Sequence, residues 1–110
     1  MNKVKLLIVD DEVDLLAELE PLLSRAGYEV RKATDGQQAL DLIDRDPPDL
    51  VILDVLMPRL DGREVVRRLR NKDDWTPIIL LTKVGTPSER AMSLQEAPTI
   101  ILISPSIRWN

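Results

Sequence analysis

Residues 50–62 read LVILDVLMPRLDG, and the reading of that stretch decides the fold. Four consecutive apolar residues, Leu50 to Leu53, run straight into an acid, Asp54, and a Pro-Gly loop follows from Met57 to Gly62. A short apolar run with no polar alternation marks a strand buried on both faces. The same pattern stands near the amino end, where Leu6-Leu7-Ile8-Val9 runs into Asp10-Asp11-Glu12.

Helical patterns separate these strands. Over residues 13–26, Leu15, Leu19, Leu22, Leu23 and Ala26 share one side, Pro21 is expected to kink the helix, and Gly27 stops it. Tyr28 to Lys32 reads as a second strand. Asp35-Gly36-Gln37-Gln38 is a capped helix start, and Ala39, Leu40 and Ile43 supply the buried face before Pro47-Pro48 ends it. A helix from about Arg63 to Arg70 follows the third strand, and Pro77 opens a fourth, Ile78 to Leu81, ending at Thr82. Arg63, Arg67 and Arg70 are read as a solvated helical face. Thr86-Pro87-Ser88-Glu89 starts another helix, and Thr99 to Ile103 is a further strand-like run. Strands alternating with helices imply parallel pairing through right-handed crossovers, hence a doubly wound α/β sheet. In such sheets the working site lies beyond the carboxyl ends of the strands, where the strand order reverses.

Composition narrows the chemistry. A chain of 110 residues allows one domain, and with 44% hydrophobic residues it is globular rather than disordered. It has no cysteine and no histidine, which removes disulfides, thiolate sites, imidazole ligands and histidine bases. A net charge of −4 argues against nucleic acid as a direct partner. The apolar run from Leu6 to Val9 is too short for a signal sequence or a membrane span, so a soluble, cytoplasmic domain is expected.

The topological rule gathers scattered residues into a site. Asp10 and Asp11 leave strand one, Asp54 strand three and Thr82 strand four, all at carboxyl ends. Three converging carboxylates repel one another and need a cation or raised pKa values. Oxygen ligands alone favour a hard ion, magnesium before calcium. A carboxylate beside such an ion can attack phosphorus and form an acyl phosphate, and the Thr82 hydroxyl can donate to a phosphate oxygen. Taken singly, each element has a plainer reading. Asp10-Asp11-Glu12 alone reads more readily as an acidic helix start, Asp54 as a turn acid and Thr82 as a strand end. Three strand ends carrying mutually useful groups are what these plainer readings leave unaccounted for.

The segments LLIVDDE, DLVILDVLMPRLDG and LLT after a Pro-led strand resemble the receiver domain of two-component response regulators over residues 3–96. The resemblance implies a flavodoxin-like, five-stranded parallel sheet in the order 2-1-3-4-5. It implies a phosphoacceptor switch rather than an enzyme, loaded at Asp54 by a histidine kinase or phosphotransfer protein. Magnesium would be held by Asp11, Asp54 and the backbone carbonyl of Leu56, with Asp10 assisting through a metal-bound water. Thr82 would swing toward the phosphate and carry the signal. Two other functions compete. A magnesium-dependent aspartyl-phosphate phosphatase usually needs a second acid two residues after the nucleophile, where this chain has Leu56. A phosphorylation-impaired interaction module is the other.

The tail departs from the family. After residues 1–96, the stretch 97–110 reads APTIILISPSIRWN and lacks both the Lys-Pro pair and the last helix the resemblance leads one to expect. It is expected to form the fifth strand and to leave one sheet face thinly covered, which invites a homodimer through the C-terminal face. Ser104 falls where the family has its lysine, and Ile101 where it has an aromatic residue. The codons permitted for Glu96 to Asn110, read one nucleotide earlier, include the translation Gly-Ala-Asp-Asp-Tyr-Leu-Asn-Lys-Pro-Phe-Asp-Pro-Leu-Glu. A frameshift near codon 96 accounts for this. The coding DNA is expected to give Lys-Pro at positions 104 and 105 in that shifted frame; any other reading leaves a divergent natural tail.

Overall fold

In the computed structural model, residues 3–55, 57, 59–83 and 98–103 are described, those from 82 onward through their backbone. The elements in chain order are β1 (Lys5–Val9), α1 (Val13–Arg25), β2 (Glu29–Ala33), α2 (Gly36–Arg45), β3 (Leu50–Asp54), α3 (Gly62–Asn71), β4 (Ile78–Lys83) and β5 (Pro98–Ile103). The sheet order is β2-β1-β3-β4-β5, as the resemblance implies. β1 pairs in parallel with β2 and β3, and β3 in parallel with β4. The path moves one way along the sheet from β1 to β2 and the other way from β2 to β3. With right-handed crossovers, that reversal puts α1 on one face and α2 with α3 on the other.

Direction is where β5 departs from expectation. It pairs antiparallel with β4, Lys83 beside Pro98 and Ile78 beside Ile103. Lys83 and Pro98 therefore lie at the same end of the sheet, as antiparallel pairing requires. The expected helix start at 86–89 lies outside the described residues.

Leu7, Val9, Val51, Leu53, Ile78 and Leu80 pack with Ala39 and Ile43 of α2 and Val65, Val66 and Leu69 of α3 in one apolar cluster. Burying side chains of this size stabilises by about 1.5–3 kcal/mol each. The α1 face is thinner. Leu16 is the buried residue of α1, while Leu15, Leu19 and Leu23 are half-buried and Leu22 is 59% exposed. The apolar stripe thus centres one residue later than the sequence pattern suggests, and Leu22 is not part of it. On the strands, Ile52, Ile79 and Leu81 are also half-buried.

Local signals behave as read. The Asp35 carboxylate accepts from the Gln38 amide at 2.8 Å and caps α2, and Asp61 caps α3 by accepting from the Glu64 amide at 3.0 Å. Gly27 ends α1 with φ of 102°, a conformation glycine adopts without steric cost. The solvated-face reading holds for Arg63 and Arg67 and fails for Arg70, which is only 3% exposed. Its guanidinium donates to the carbonyls of Asp74 at 2.8 Å and Thr76 at 3.0 Å and lies over the Trp75 ring, 5.5 Å from its centre. The chain turns back at Asp73 (φ 58°), so the residues after α3 cover its last turn and enclose that side chain. Burial lowers its pKa, and the two carbonyls replace part of the water it gives up, with the buried Nε left unmatched among the described residues.

Candidate functional site

The parallel pairing of β1 with β3 sets Val9 beside Leu53, so the acids that follow both residues emerge together. Asp10, Asp11 and Asp54 each offer a carboxylate oxygen, and all these atoms lie within 4.8 Å of one another. The structure therefore brings together the three acids read from the sequence. Asp10 is buried at 7% exposed, Asp54 is half-buried and Asp11 is exposed. A graded site of this kind is rooted at Asp10 and opens to solvent at Asp11.

Backbone contacts fix the root. The Asp10 amide donates to the Ala33 carbonyl at 3.1 Å, and its carboxylate accepts from the Glu12 amide at 2.9 Å. Beside Asp54, the Val55 amide donates to Leu81 O at 3.0 Å, tying the end of β3 to β4. Gly62 then allows α3 to start against that strand end. A Cβ at this position would come within 2.5 Å of the Asp54 carbonyl oxygen, closer than real Cβ contacts occur. The sequence marks this close approach only by the glycine that ends the Pro-Gly loop.

Thr82 is the penultimate residue of β4, one position beyond Leu81, which pairs with Asp54. Its backbone thus sits at the site end of the sheet. Leu56, whose carbonyl the resemblance assigns to a metal, lies outside the described residues.

Electrostatics agrees with the donor set. Burial pushes the Asp10 carboxyl above its ordinary value, the Glu12 amide pulls it partly back, and the charges of Glu12 and Asp11 push it up again. An all-oxygen cluster with a buried, charge-disfavoured member is chemistry that a hard divalent cation relieves. Oxygens in a magnesium shell sit roughly 3–4 Å apart, inside the 4.8 Å that bounds the separations here.

The chain belongs to the response regulator receiver domain family, whose profile matches residues 6–102. Among its relatives is a probable transcriptional regulator, ycf27, of Cyanophora paradoxa, 43% identical over 105 residues, or 96% of this chain and 44% of that protein. Response regulator MprA of Mycolicibacterium vanbaalenii is 47% identical over 102 residues, covering 93% of this chain and 44% of the relative. The chain thus spans less than half the length of these curated relatives. In structure it is similar to chemotaxis protein CheY4 of Vibrio cholerae, with a TM-score of 0.71 and 35% identity over 82% of this chain and 77% of that one. It is also similar to the Francisella response regulator 1452 receiver domain, with a TM-score of 0.72 and 28% identity over 82% and 74% of the two chains. Receiver domains of this family are phosphoacceptor switches of two-component signalling rather than enzymes in the ordinary sense. Among the described residues, no helix is long and apolar enough to cross a membrane.

The Asp10 shift carries a pH dependence. A carboxyl whose folded pKa is raised stabilises the fold below its unfolded value, near 3.8, and that contribution is lost as pH rises through the folded value. At neutral pH without divalent ions, ionised Asp10 therefore costs stability. Asp10→Asn is expected to raise the thermal midpoint by a few degrees in chelator at pH 7, and the gain should vanish as pH falls toward 3. Thermal unfolding followed by circular dichroism measures this, and a lower midpoint for the variant at pH 7 would contradict it.

Proposed function

We propose that this chain accepts a phosphoryl group on Asp54 from a histidine kinase or a phosphotransfer protein. The observation that supports the reading is the meeting of Asp10, Asp11 and Asp54 within 4.8 Å at the carboxyl ends of β1 and β3. An Asp54 carboxylate oxygen attacks phosphorus as the donor's P–N bond breaks. The electron pair goes to the imidazole nitrogen, which takes a proton from solvent. These 110 residues have no histidine, so the donor imidazole lies outside them. Asp10, Asp11 and Asp54, with the Leu56 carbonyl, would hold Mg²⁺, which when bound neutralises charge on the phosphoryl oxygens. Thr82, at the site end of β4, is assigned the hydrogen bond to the phosphoryl group and the switching role. The cytoplasm is the compartment where such kinases deliver phosphate, and it is the assigned location. Residues 1–96 are assigned to the receiver unit and 97–110 to an atypical tail that contributes the fifth strand. Nucleic-acid binding is not assigned to this chain; the names of its longer relatives describe those proteins.

A second reading concerns assembly. β5 is the sheet edge next to β4, and the run from Ala97 to Ile107 carries no charge. Such an edge lacks the charged residues that usually block strand-to-strand association. Together with the thin α1 face, this supports a homodimer through the C-terminal side. Light scattering is expected to give a mass near twice that of the chain; a monomer at every concentration would exclude the dimer.

Incubation with Mg²⁺ and acetyl phosphate should add one phosphoryl group to the intact mass, and Asp54→Asn should reduce the addition at least tenfold. A folded, Mg²⁺-binding protein with no added mass would overturn the phosphoacceptor reading and leave the interaction module in its place.

A further inference from the structure

Alternation along β4 fixes which backbone groups of β5 face outward. Val51 and Val55 donate their amides to the carbonyls of Pro77 and Leu81, each at 3.0 Å. Pro77, Ile79 and Leu81 therefore turn their backbone groups toward β3, and Ile78, Leu80 and Thr82 turn theirs toward β5. The register partners of those last three are Ile103, Ile101 and Thr99. The N–H and C=O groups of Ile100 and Leu102 thus point away from β4, together with the Pro98 carbonyl. Proline, which has no N–H, falls on the outward set, where β4 loses no bond to it.

The two edges of the sheet differ in charge. β2, at one edge, carries Glu29, Arg31 and Lys32, with Arg31 paired to Asp46 and Lys32 to Glu20, each at 3.3 Å. Charges of that kind hinder a further chain from adding to an edge. β5, at the other edge, has six residues without a charge, and among the described residues no strand lies beyond it. A second copy offers the same outward groups and no charge to repel them. With a two-fold axis at Ile101, Ile100 meets Leu102 of the partner subunit, and Leu102 meets Ile100 of the partner subunit. Both pairs exchange N–H and C=O groups, so every outward donor and acceptor of these two residues is matched. An axis at Ile100 would set Leu102 against Pro98 of the partner subunit and leave the Leu102 carbonyl without a donor. The proline thus counts against that register.

We infer that β5 pairs antiparallel with β5 of a second copy across a two-fold axis at Ile101, joining two five-stranded sheets into one. The inference rests on the homodimer reading above and supplies its surface and register.

The chain has no cysteine, so single cysteines report the pairing directly. Across the axis the two Cα atoms of residue 101 stand about 4.5 Å apart, within disulfide range. Under mild oxidation, Ile101→Cys is expected to run largely as a linked dimer on a non-reducing gel. In Thr99→Cys alone or Ile103→Cys alone the paired positions lie roughly 13 Å apart, and linkage should fall at least about fivefold. Mixing those two variants should restore it, because position 99 faces position 103 of the partner subunit. Ile100→Pro removes an outward N–H and no bond to β4, so it should scatter as a monomer with an unchanged circular dichroism spectrum. A wild-type dimer in which neither Ile101→Cys nor the mixture links keeps the homodimer reading and overturns β5 as its surface. Equal linkage at all three positions overturns the register. A wild-type monomer at every concentration overturns both readings and leaves the edge to an extended segment of another protein. If Ile101→Cys disturbs the fold, the mixture of Thr99→Cys and Ile103→Cys decides the same question.

Discussion

The register of β1 against β3, Val9 beside Leu53, forces two acidic strand ends into one place. Each apolar run is held by burial on both sides, and each ends in an acid that burial disfavours. Repulsion among Asp10, Asp11 and Asp54 works against that register, and the packing of Leu7, Val9, Val51 and Leu53 on α2 and α3 overrides it. The surrounding construction serves the same constraint. Gly62 lets α3 start against the end of β3, the Asp61 cap fixes that start, and the Val55 amide ties β3 to β4. A cluster held together against its own charge responds strongly to anything that changes the charge, which is what a phosphoryl switch requires.

Much of this was legible in the residues. Apolar runs ending in acids gave β1 and β3 because the strand and its terminal group are adjacent in sequence. Asp35 and Gly27 marked helix ends through purely local chemistry. The sequence pattern starts the second strand one residue early, since Tyr28 donates its amide to Leu23 O, closing α1, and is itself exposed. Other features depend on contacts the sequence does not display. The apolar stripe of α1 centres on Leu16, because packing against the sheet, and not the count of leucines, sets its angle. Arg70 looked solvated until the turn at Asp73 brought Trp75 over it.

The direction of β5 was illegible for a different reason. A run such as Thr99 to Ile103 reports burial and strand propensity but has no polarity, so the same residues suit parallel or antiparallel pairing. Direction is set by which end of the sheet the intervening chain returns to. That outcome separates the tail's composition from its role. It completes a five-stranded sheet with a strand that runs from Pro98, beside Lys83, to Ile103, beside Ile78.

The most direct test of the account is chemical mapping of the loaded carboxylate. Borohydride reduces an acyl phosphate, but not a free carboxylate, to an alcohol, which converts a phosphorylated aspartate into homoserine. After treatment with Mg²⁺ and acetyl phosphate, peptide mass spectrometry of the reduced protein should find homoserine at position 54, and none when Mg²⁺ is chelated. Homoserine at another acid, or none in protein that binds Mg²⁺, would contradict the assignment of Asp54 as the phosphoacceptor.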